Sequence, residues 1–311
     1  MSASAPQPQI DVVDATALAE LHALAQAALP LDRFSRDLLA EKLFANPQPD
    51  ITSYRTYAAR AEGRLVGFMQ SVVNPAERRG WIGMFAVADG VRRRGVATAL
   101  LERALGELRL LGADEVEVLA IPGNYFTPGL DPRYTEALCF LERRGFTRFK
   151  DCANLEADLS APFPTEADEQ RLAAAGVTIR RAARDDDKRL DAFFDEAFGA
   201  GWRLESELAM RNDPPALHLA LRGERVIAFS GHSSQNREWG FFGPMGTLPE
   251  TRGLGIGRVL LRHCLNDLRA AGHRTSIIPW VGPIAFYAYH ADCRVTRVFW
   301  RYRWRRDGSA A

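Results

Sequence analysis

Hydrophobic and polar positions follow two different periods along the first half of the chain. Segments in which every second residue is apolar are typical of strands, and apolar residues three or four positions apart are typical of an amphipathic helix. Gly112 and Gly145 stand where the helical patterns end. The predicted elements are helical sequence at about 15–45, a hairpin of strands at 56–60 and 65–73, a strand at 81–87, a helix at 97–111, a strand at 115–121 and a helix at 136–146.

The second half repeats this order of elements. Its predicted elements are helical sequence at about 184–210, a hairpin at 218–231, a strand at 240–247, a helix at 258–272, a strand at 275–280 and a short helix at 283–290. Strands and helices alternating in this way imply an α/β fold with a mixed sheet in each half. The polar, Pro-containing stretch 160–170 is the predicted joint.

The two halves match residue by residue around the long helix. RRRGVATALLERALGELRLLGA, from Arg92, aligns with RGLGIGRVLLRHCLNDLRAAGH, from Arg252, at a shift of 160 residues and without a gap. Gly95 falls on Gly255 in this alignment. Such self-similarity indicates a duplicated domain. The sequence therefore predicts two domains, 1–165 and 166–311.

Composition excludes several classes of function. A length of 311 residues agrees with about two domains of roughly 150 residues. The net charge of +1 gives no basic field for nucleic acid, and no apolar stretch approaches the ~18 residues of a membrane span. The first residues do not resemble a secretory signal. Four cysteines without CxxC spacing fit a reducing compartment, so we expect a cytoplasmic protein without a zinc site.

Each copy has a loop rich in glycine and arginine between a strand and the long helix. The loops are Arg252-Gly253-Leu254-Gly255-Ile256-Gly257 and Arg92-Arg93-Arg94-Gly95-Val96-Ala97. The first N–H groups of a helix have no partner within it, and the helix dipole favours negative charge there. Glycines let this backbone approach a phosphate closely. The sequence therefore predicts an anion site at the start of each long helix.

Three kinds of phosphate-binding loop compete for this pattern. A Walker loop requires GxxxxGK followed by Ser or Thr, which the chain lacks. A dinucleotide fingerprint requires GxGxxG, but its last glycine position holds Leu260 or Arg258, depending on the register. The pattern R-x-x-G-x-G/A after a strand fits both copies. The alternative is that these glycines only allow close helix–strand packing.

The R-x-x-G-x-G/A loop, with its flanking elements, resembles the acetyl-CoA loop of the GNAT acetyltransferase superfamily. The resemblance covers roughly residues 50–155 and 176–304. It implies an α/β fold of two tandem GNAT-type domains, each a mixed, mostly antiparallel sheet flanked by helices. It also implies that acetyl-CoA is the co-substrate, that loop amides bind its pyrophosphate, that the preceding strand binds its pantetheine arm, and that no metal takes part. The implied coenzyme-binding residues are Met245, Thr247, Leu248, Arg252, Gly253, Leu254, Gly255, Ile256 and Gly257, with Val87, Arg92, Arg93, Arg94, Gly95, Val96 and Ala97 in the first copy.

In this superfamily a tyrosine on the last helix protonates the departing thiolate. Tyr287 takes that position in the second copy, whereas the first copy has Phe140 or Leu141, depending on how one residue is gapped. Neither of these donates a proton, so we assign the chemistry to the second copy. The alternative for Tyr287 is a core tyrosine with a satisfied hydroxyl. Tyr289, two residues on, is a weaker candidate because it faces another side of the helix.

The other catalytic groups are less well determined by the sequence. Backbone N–H groups near Thr247 and Leu248 are the expected donors to the acetyl carbonyl and its oxyanion. His232 and Glu238 flank the turn SSQNRE, and either is a candidate general base acting through water. The alternatives are that both are merely solvated side chains and that an ordered-water relay removes the need for a base.

The first copy carries an insert, IPGNYFTPGLDPRYT (121–135), that the second copy lacks. Two interpretations stay open. Asn124, Tyr125, Asp131 and Tyr134 line an acceptor pocket, or the insert is a surface loop punctuated by proline and glycine. The first copy then either binds acetyl-CoA at a structural or regulatory site or is a degenerate scaffold.

Other motifs bear on the acceptor. WVGPI-x-FY and RVFW-x-YR in the second copy and GNYFTPGLD in the first look similar to bacterial tandem GNAT proteins of the glucosamine/glucosaminide N-acetyltransferase kind. The tandem order is also similar to that of mycothiol synthase. The sequence departs from these relatives at His290–Cys293. The resemblance implies direct transfer of acetyl to a primary amine of a small molecule, with an amino sugar as the acceptor class and neither nucleic acid nor membrane as a partner.

Rival interpretations remain for the whole chain and for its aromatic residues. The chain is alternatively a non-catalytic acyl-CoA-binding sensor, and O- or S-acetylation and a longer acyl donor stay open. The Arg/Trp-rich end suits a half-buried strand better than stacking on single-stranded RNA. The sequence leaves two locations open for four aromatic residues, which either line an acceptor cleft or belong to the core: Trp239, Phe241, Phe242 and Trp280.

Overall fold

The computed structural model describes residues 8–306, which fold into two α/β units. Residues 8–152 and 299–306 form the first unit, and residues 153–298 form the second. Residues 303–305 pair antiparallel with residues 115–117, a strand that would otherwise have an open edge. Residues 299–306, which the sequence assigns to the second domain, therefore lie with the first unit.

The first unit is a sheet with helices packed against it. Its elements are β1 (Gln9–Val13), α1 (Leu18–Ala28), α2 (Arg36–Phe44), β2 (Ser53–Ala61), β3 (Arg64–Asn74), β4 (Arg79–Val87), α3 (Val96–Leu110), β5 (Glu115–Val118), α4 (Thr135–Arg143) and the first half of β6 (Thr147–Asp158). The first four strands are antiparallel neighbours, and β4 and β5 are parallel. A buried row of Leu100, Leu101, Leu105 and Leu108 on α3 faces this sheet.

The second unit repeats this plan. Its elements are the second half of β6, α5 (Glu166–Ala174), β7 (Thr178–Arg181), α6 (Asp187–Glu196), α7 (Ala200–Met210), β8 (Leu217–Arg222), β9 (Arg225–His232), β10 (Phe242–Thr247), α8 (Ile256–Ala270), β11 (Thr275–Val281), α9 (Ile284–Ala291) and the start of β12 (Arg294–Arg305). The antiparallel order is β10-β9-β8-β7. A separate ladder joins β11 to residues 153–158 of β6.

The duplication is visible in the bounds of the elements. The two long helices α3 and α8 begin at Val96 and Ile256, and the strands before them end at Val87 and Thr247. Each pair differs by the same 160 residues, which confirms the predicted α/β fold of two related units. The strand predicted at 115–121 ends at Val118, because Leu119 takes a positive φ of 69° and turns the chain.

The strand β12 has one buried side and one polar side. Tyr302 is fully buried, and Arg301 pairs with Glu117 while Arg303 and Arg305 pair with Glu115. The arginines of this segment are therefore matched by carboxylates of β5. This is the half-buried strand that the sequence favours.

Candidate active site

Two parallel strands separate in the second unit and leave a gap between them. β10 is an edge strand next to β9, and β11 pairs with β6. A single bridge joins Phe241 to Ile277 at the start of both strands. Beyond it, the described part of the chain has no ladder between β10 and β11. The strands therefore diverge toward their carboxyl ends, where the Gly/Arg loop and α9 follow.

The strand β10 is irregular next to this gap. Its register with β9 shifts between Phe242 and Met245, and Gly243 has a φ of +114°. A cis peptide joins Gly243 to Pro244. A positive φ of this size is accessible mainly to glycine. The backbone of β10 therefore departs from a regular strand beside the gap.

Backbone groups of β10 line the gap. The N–H of Leu248 donates to the carbonyl of Ile227 on β9, at 3.0 Å. Alternate residues of an antiparallel ladder face the same neighbour, so the N–H groups of Met245 and Thr247 face the gap instead. Of the two expected oxyanion donors, Thr247 is therefore available to a ligand in the gap, and Leu248 is already bonded to β9.

The Gly/Arg loop exposes the start of α8. Gly253 and Gly255 both have positive φ, 85° and 82°. The first bond within α8 runs from the Val259 N–H to the Gly255 carbonyl, at 3.4 Å, so the amides of residues 256–258 have no partner inside the helix. This arrangement, together with the helix dipole, can bind an anion.

In both units the first arginine of the R-x-x-G-x-G/A motif holds the loop against the preceding strand. Arg252 Nε donates to the carbonyl of Thr247 at 3.4 Å, and Arg92 Nε donates to the carbonyl of Val87 at 3.3 Å. Both bonds tie the loop to the last residue of the preceding strand. This arginine therefore fixes the loop's shape through its Nε.

A second set of arginines surrounds the loop of the second unit. Arg171 on α5 and Arg258 and Arg262 on α8 all converge on Asp168 of α5. Three positive charges against one carboxylate leave an excess of positive charge beside the helix start. Sequence reasoning missed this cluster, because α5 lies in the stretch taken for a joint. The sequence did contain one indication of this cluster. Asp168 and Arg171 are three residues apart, so they lie on the same face of a helix.

Tyr287 lies on α9 beside the gap. Its ring packs against Phe242 in a T-shaped pair with centroids 5.9 Å apart, and it shares a buried cluster with Met245. Burial raises the pKa of Tyr287 to about 12. Its hydroxyl is therefore protonated throughout the neutral range, as a proton donor must be. Tyr289, by contrast, is 84% exposed.

The two candidate bases lie in different surroundings. The buried ring of His232 is bonded at both nitrogens, through Nδ1 to Ser233 Oγ at 3.0 Å and through Nε2 to Asp267 on α8 at 3.2 Å. Glu238 is exposed in the short 3₁₀ turn Arg237–Trp239. The structure thus directs His232 toward α8 and leaves Glu238 in solvent contact.

Asp267 organises a buried polar network under α8. It accepts from Arg181 Nη2 at 2.6 Å and is bonded to His218 Nε2 at 2.7 Å, in addition to His232. Burial alone would raise the pKa of Asp267, but these three hydrogen bonds outweigh it and hold the pKa far below its usual value. Burial also lowers the pKa of His218. The network therefore has its carboxylate charged and His218 neutral near pH 7.

The first unit has the same loop geometry. Gly95 has a φ of +85°, and the first bond within α3 runs from Ala99 N–H to the Gly95 carbonyl at 2.9 Å. β4 pairs with β5 from Arg79 to Ile82, after which β4 continues to Val87 paired with β3 but not with β5. The first unit therefore also combines separating strands with an exposed helix start.

The first unit has an apolar residue at the position that matches Tyr287. The amide of Asp292 bonds back to the Tyr287 carbonyl, five residues earlier, at the end of α9, and the bond of the same span after α4 runs from Phe146 to Leu141. Leu141 therefore takes the place of Tyr287, as one of the two predicted alignments has it. It is fully buried and apolar.

The insert of the first unit is buried. Asn124 accepts from Lys42 Nζ at 2.9 Å and donates to the carbonyls of Glu41 and Ala45 at the end of α2. Tyr134 donates to Asp32 at 2.7 Å. Of the two interpretations left open for the insert, the surface loop is contradicted, because these hydrogen bonds draw the insert onto α2 and the loop before it.

The insert also contacts the separating part of β4. A β-carbon on Gly83 would overlap Gln70 and lie 3.0 Å from Ile121, and Ile121 packs with Tyr54, Val72 and Trp81. Residues of this unit's own chain therefore occupy the space beside β4, where a pocket would have to form.

Two further features of the described residues bear on function. Within residues 8–306 there is no group of three or more His, Cys, Asp or Glu side chains that could hold a metal ion. No helix in this range is long and apolar enough to cross a membrane.

The profile of the Acetyltransferase (GNAT) family matches residues 19–125 and 179–289, one segment in each unit. The chain belongs to this family. The tandem GNAT chain is also 30% identical over 234 residues to the mycothiol acetyltransferase of Thermomonospora curvata, and the match covers 70% of each protein. It is therefore an acetyltransferase with two GNAT domains, as the loop motif predicts.

Solved structures with the same fold include two multi-domain or tandem proteins. The GCN5-related glucosamine N-acetyltransferase region of a fungal multi-domain GH3 β-N-acetylglucosaminidase superposes with a TM-score of 0.81 at 20% identity, over 96% of this chain and 38% of that one. The tandem GNAT protein from the clavulanic acid biosynthesis pathway superposes with a TM-score of 0.71 at 15% identity, over 98% and 100% of the two chains. These likenesses establish the fold of the chain.

Proposed function

We propose that the second unit transfers the acetyl group of acetyl-CoA to a primary amine of a small molecule. The observation that carries this proposal is the position of Tyr287 beside the gap between β10 and β11. The Gly/Arg loop lies at the open end of the same gap. The first unit has the loop but has Leu141 in place of the tyrosine.

The residues of the second unit suit coenzyme A. The amides of residues 256–258 and the arginines around Asp168 offer donors to its phosphates. The gap-facing N–H groups of Met245 and Thr247 offer an added-strand contact to the amides of its pantetheine arm. Val87 and the loop residues 92–97 offer the corresponding groups in the first unit.

Three groups take part in the acetyl transfer. The thioester supplies an activated acetyl carbon, which the amine nitrogen attacks directly. The Thr247 N–H is placed to donate to the oxyanion that forms. Tyr287 gives its proton to the sulfur as the carbon–sulfur bond breaks, because its raised pKa keeps the hydroxyl protonated until then. No cysteine is needed as a nucleophile, and burial raises the pKa of both Cys264 and Cys293.

The fungal neighbour is named as a glucosamine N-acetyltransferase region, so glucosamine is the first acceptor to assay. The test measures thiol release from acetyl-CoA with glucosamine and a panel of other primary amines. Tyr287→Phe should lower kcat by about 10²–10⁴-fold and leave the Kd for acetyl-CoA unchanged. Tyr289→Phe is the matched control and should behave as wild type. A wild-type protein that binds acetyl-CoA and acetylates no amine would instead be an acyl-CoA-binding protein.

A non-catalytic role is favoured for the first unit by one observation. Its insert places Ile121 against Gly83 of β4 and is held to α2 by the Asn124–Lys42 pair. The loop geometry of Gly95 is nevertheless intact. We therefore propose that this unit holds acetyl-CoA without transferring its acetyl group. Equilibrium dialysis with radiolabelled acetyl-CoA, comparing bound ligand with turnover, tests this role.

A further inference from the structure

The helix α7 covers the face of β10 opposite α8. Adjacent residues of a strand point to opposite faces of the sheet. Met245 lies on the α8 side, where its Cε is 3.3 Å from a β-carbon position on Gly257. A β-carbon on the next residue, Gly246, would lie 2.7 Å from the ring of Phe198, just before α7. Tyr287 shares the cluster of Met245, so α7 borders the gap from the other face.

One side of α7 is directed at β10. Trp202, Glu205 and Ala209 are spaced by three and four residues and therefore share a helical face. Trp202 stacks on Phe198 with ring centroids 5.1 Å apart. Because Phe198 also lies against Gly246, this contact places the start of the helical face beside Gly246.

The other end of the same helical face lies near Gly243. A β-carbon on Gly231 would be 3.6 Å from Ala209 Cβ and 3.5 Å from the Gly243 carbonyl oxygen. Glu205 lies between Trp202 and Ala209, so it projects over the segment of β10 from Gly243 to Gly246. This is the irregular segment that borders the gap.

A buried glutamine holds Glu205. Gln235, in the loop between β9 and β10, is 3% exposed, and its Nε2 donates to Glu205 Oε1 at 3.1 Å. The Oε1 of Gln235 is buried and has no hydrogen-bond partner among residues 8–306. Buried polar atoms are normally satisfied. A buried hydrogen-bond acceptor without a partner, next to the carboxylate of Glu205, suits a ligand that donates hydrogen bonds.

We infer that Glu205 contacts the acceptor amine and accepts the proton that its nitrogen loses. The inference rests on the proposed acetyl transfer. Gln235 is a positioning residue that fixes the carboxylate and offers its free oxygen to an ammonium or hydroxyl hydrogen. A carboxylate and an amide oxygen on the α7 face suit a hydroxylated amine. Tyr287 approaches the gap from the α8 face, so the proton acceptor and the proton donor stand on opposite sides of the thioester.

The proton balance of this step closes within the site. The neutral amine forms a nitrogen–carbon bond to the acetyl group, and Glu205 takes one proton from that nitrogen. The carbon–sulfur bond breaks, its electron pair goes to sulfur, and Tyr287 protonates the sulfur. Glu205 is then neutral and Tyr287 is a phenolate, and one proton passes between them through water to restore both.

The geometry favours Glu205 over the two bases expected from the sequence. The ring of His232 is turned toward α8 and bonded at both nitrogens, and Glu238 is exposed in a turn. The signal for Glu205 in the sequence was weak. It is one of several carboxylates on a helical stretch, and only the packing of α7 on β10 distinguishes it.

The test compares Glu205→Gln with Glu207→Gln, an exposed carboxylate on the same helix. The probe reaction is thiol release from acetyl-CoA with glucosamine, or with whichever amine of the panel the wild-type enzyme acetylates fastest. Glu205→Gln should lower kcat by about 10²-fold or more at pH 7, with an unchanged Kd for acetyl-CoA. The loss should shrink toward pH 9.5, because hydroxide then replaces the base. Glu207→Gln should match wild type.

A second variant tests the role of Gln235. Gln235→Glu places a like charge beside Glu205, which should raise the pKa of Glu205. The acid limb of the kcat/KM profile should therefore move to higher pH, a shift that a merely structural role would not produce.

Two results would overturn the inference in different ways. Full activity of Glu205→Gln on an amine that the wild-type enzyme acetylates would refute the role of Glu205 alone. Absence of turnover by the wild-type enzyme with every amine would refute the proposed function and this inference with it.

Discussion

Nη2 of Arg171 lies 2.8 Å from the point that a β-carbon on Gly255 would occupy. The guanidinium of α5 therefore stands directly over the glycine that opens α8. Asp168 holds Arg171 and Arg258 on the same side. At position 98 of the first unit, which matches Arg258, the chain has Thr98. In the first unit Arg144, on the chain after α4, donates to Thr98 instead, so the arginines beside the two helix starts come from different elements.

Arg171→Ala should weaken acetyl-CoA binding by the second unit by about 10- to 150-fold, because one charge-assisted hydrogen bond to phosphate is worth roughly 1.5–3 kcal/mol. Calorimetry with acetyl-CoA and with its 3′-dephospho analogue locates the contact. An equal loss with both ligands assigns Arg171 to the pyrophosphate, and a loss with acetyl-CoA only assigns it to the 3′-phosphate. Arg269→Ala, an exposed arginine at the other end of α8, is the control, and no loss with either ligand contradicts the prediction.

Gly255→Ala should abolish one acetyl-CoA site and the acetyl transfer, because the methyl group displaces the Arg171 guanidinium from the start of α8 and narrows the approach of a phosphate to the amides. Gly95→Ala should remove a second site and leave turnover unchanged. We therefore expect calorimetry to give two sites per wild-type chain and one in each variant.

Gly272→Ala is the matched control for the loop glycines. Gly272 ends α8 with a φ of +94° and has open space around it, so alanine there carries the same left-handed strain of about 1–2 kcal/mol. It should keep both sites. A wild-type chain with a single site, removed by Gly255→Ala, would show that the first loop binds no coenzyme.

Asn124→Ala should destabilise the first unit by about 2–3 kcal/mol. The change removes a partner of buried Lys42 and one hydrogen-bond donor from each of the Glu41 and Ala45 carbonyls. Hydrogen exchange of intact protein should show faster exchange at 36–45 and 121–135 and unchanged exchange in α8. Glu102→Ala, an exposed change on α3, should have an effect within about 0.5 kcal/mol. Unchanged protection in both segments would show that the insert is held by other contacts.

The stability of the second unit should fall in mild acid. Burial lowers the pKa of His218, so the unfolded chain takes up a proton near pH 6.5, whereas the native protein takes it up only at lower pH. Stability is therefore full above about pH 6.5 and declines below it, by up to about 1.4 kcal/mol per pH unit for one proton. Asp267, whose pKa is lowered, adds a further loss below about pH 4.

His218→Gln removes the titrating group and keeps an amide donor for Asp267. Urea unfolding at pH 7.5, 6.5 and 5.5 should give a shallower decline for this variant than for wild type. Equal slopes in the two proteins would assign the acid sensitivity to other groups, such as His273, whose pKa burial also lowers.

The sequence alone determined the duplication, the fold class, the two loops and the loss of the tyrosine in the first copy, where it left Phe140 and Leu141 as alternatives. These features are local. The periodicity of a helix, a glycine at positive φ and the residue type at one helical position can each be read from a short stretch of consecutive residues. The bounds of α3 and α8 follow from the same information. The hydrophobic pattern did not predict the two short edge strands β1 and β7. Their side chains are mostly not fully buried, so these strands show no clear alternation of apolar and polar residues.

Only the tertiary structure decided what these features do together. The Gly255–Arg171 contact joins positions far apart in the sequence, and so does the Gln235–Glu205 bond. No periodicity encodes such pairs, because packing of α5 and α7 against other elements brings them together. The insert was ambiguous for the same reason, since its proline and glycine residues suit a surface loop and only Lys42 and Asp32, distant in sequence, show why it is buried.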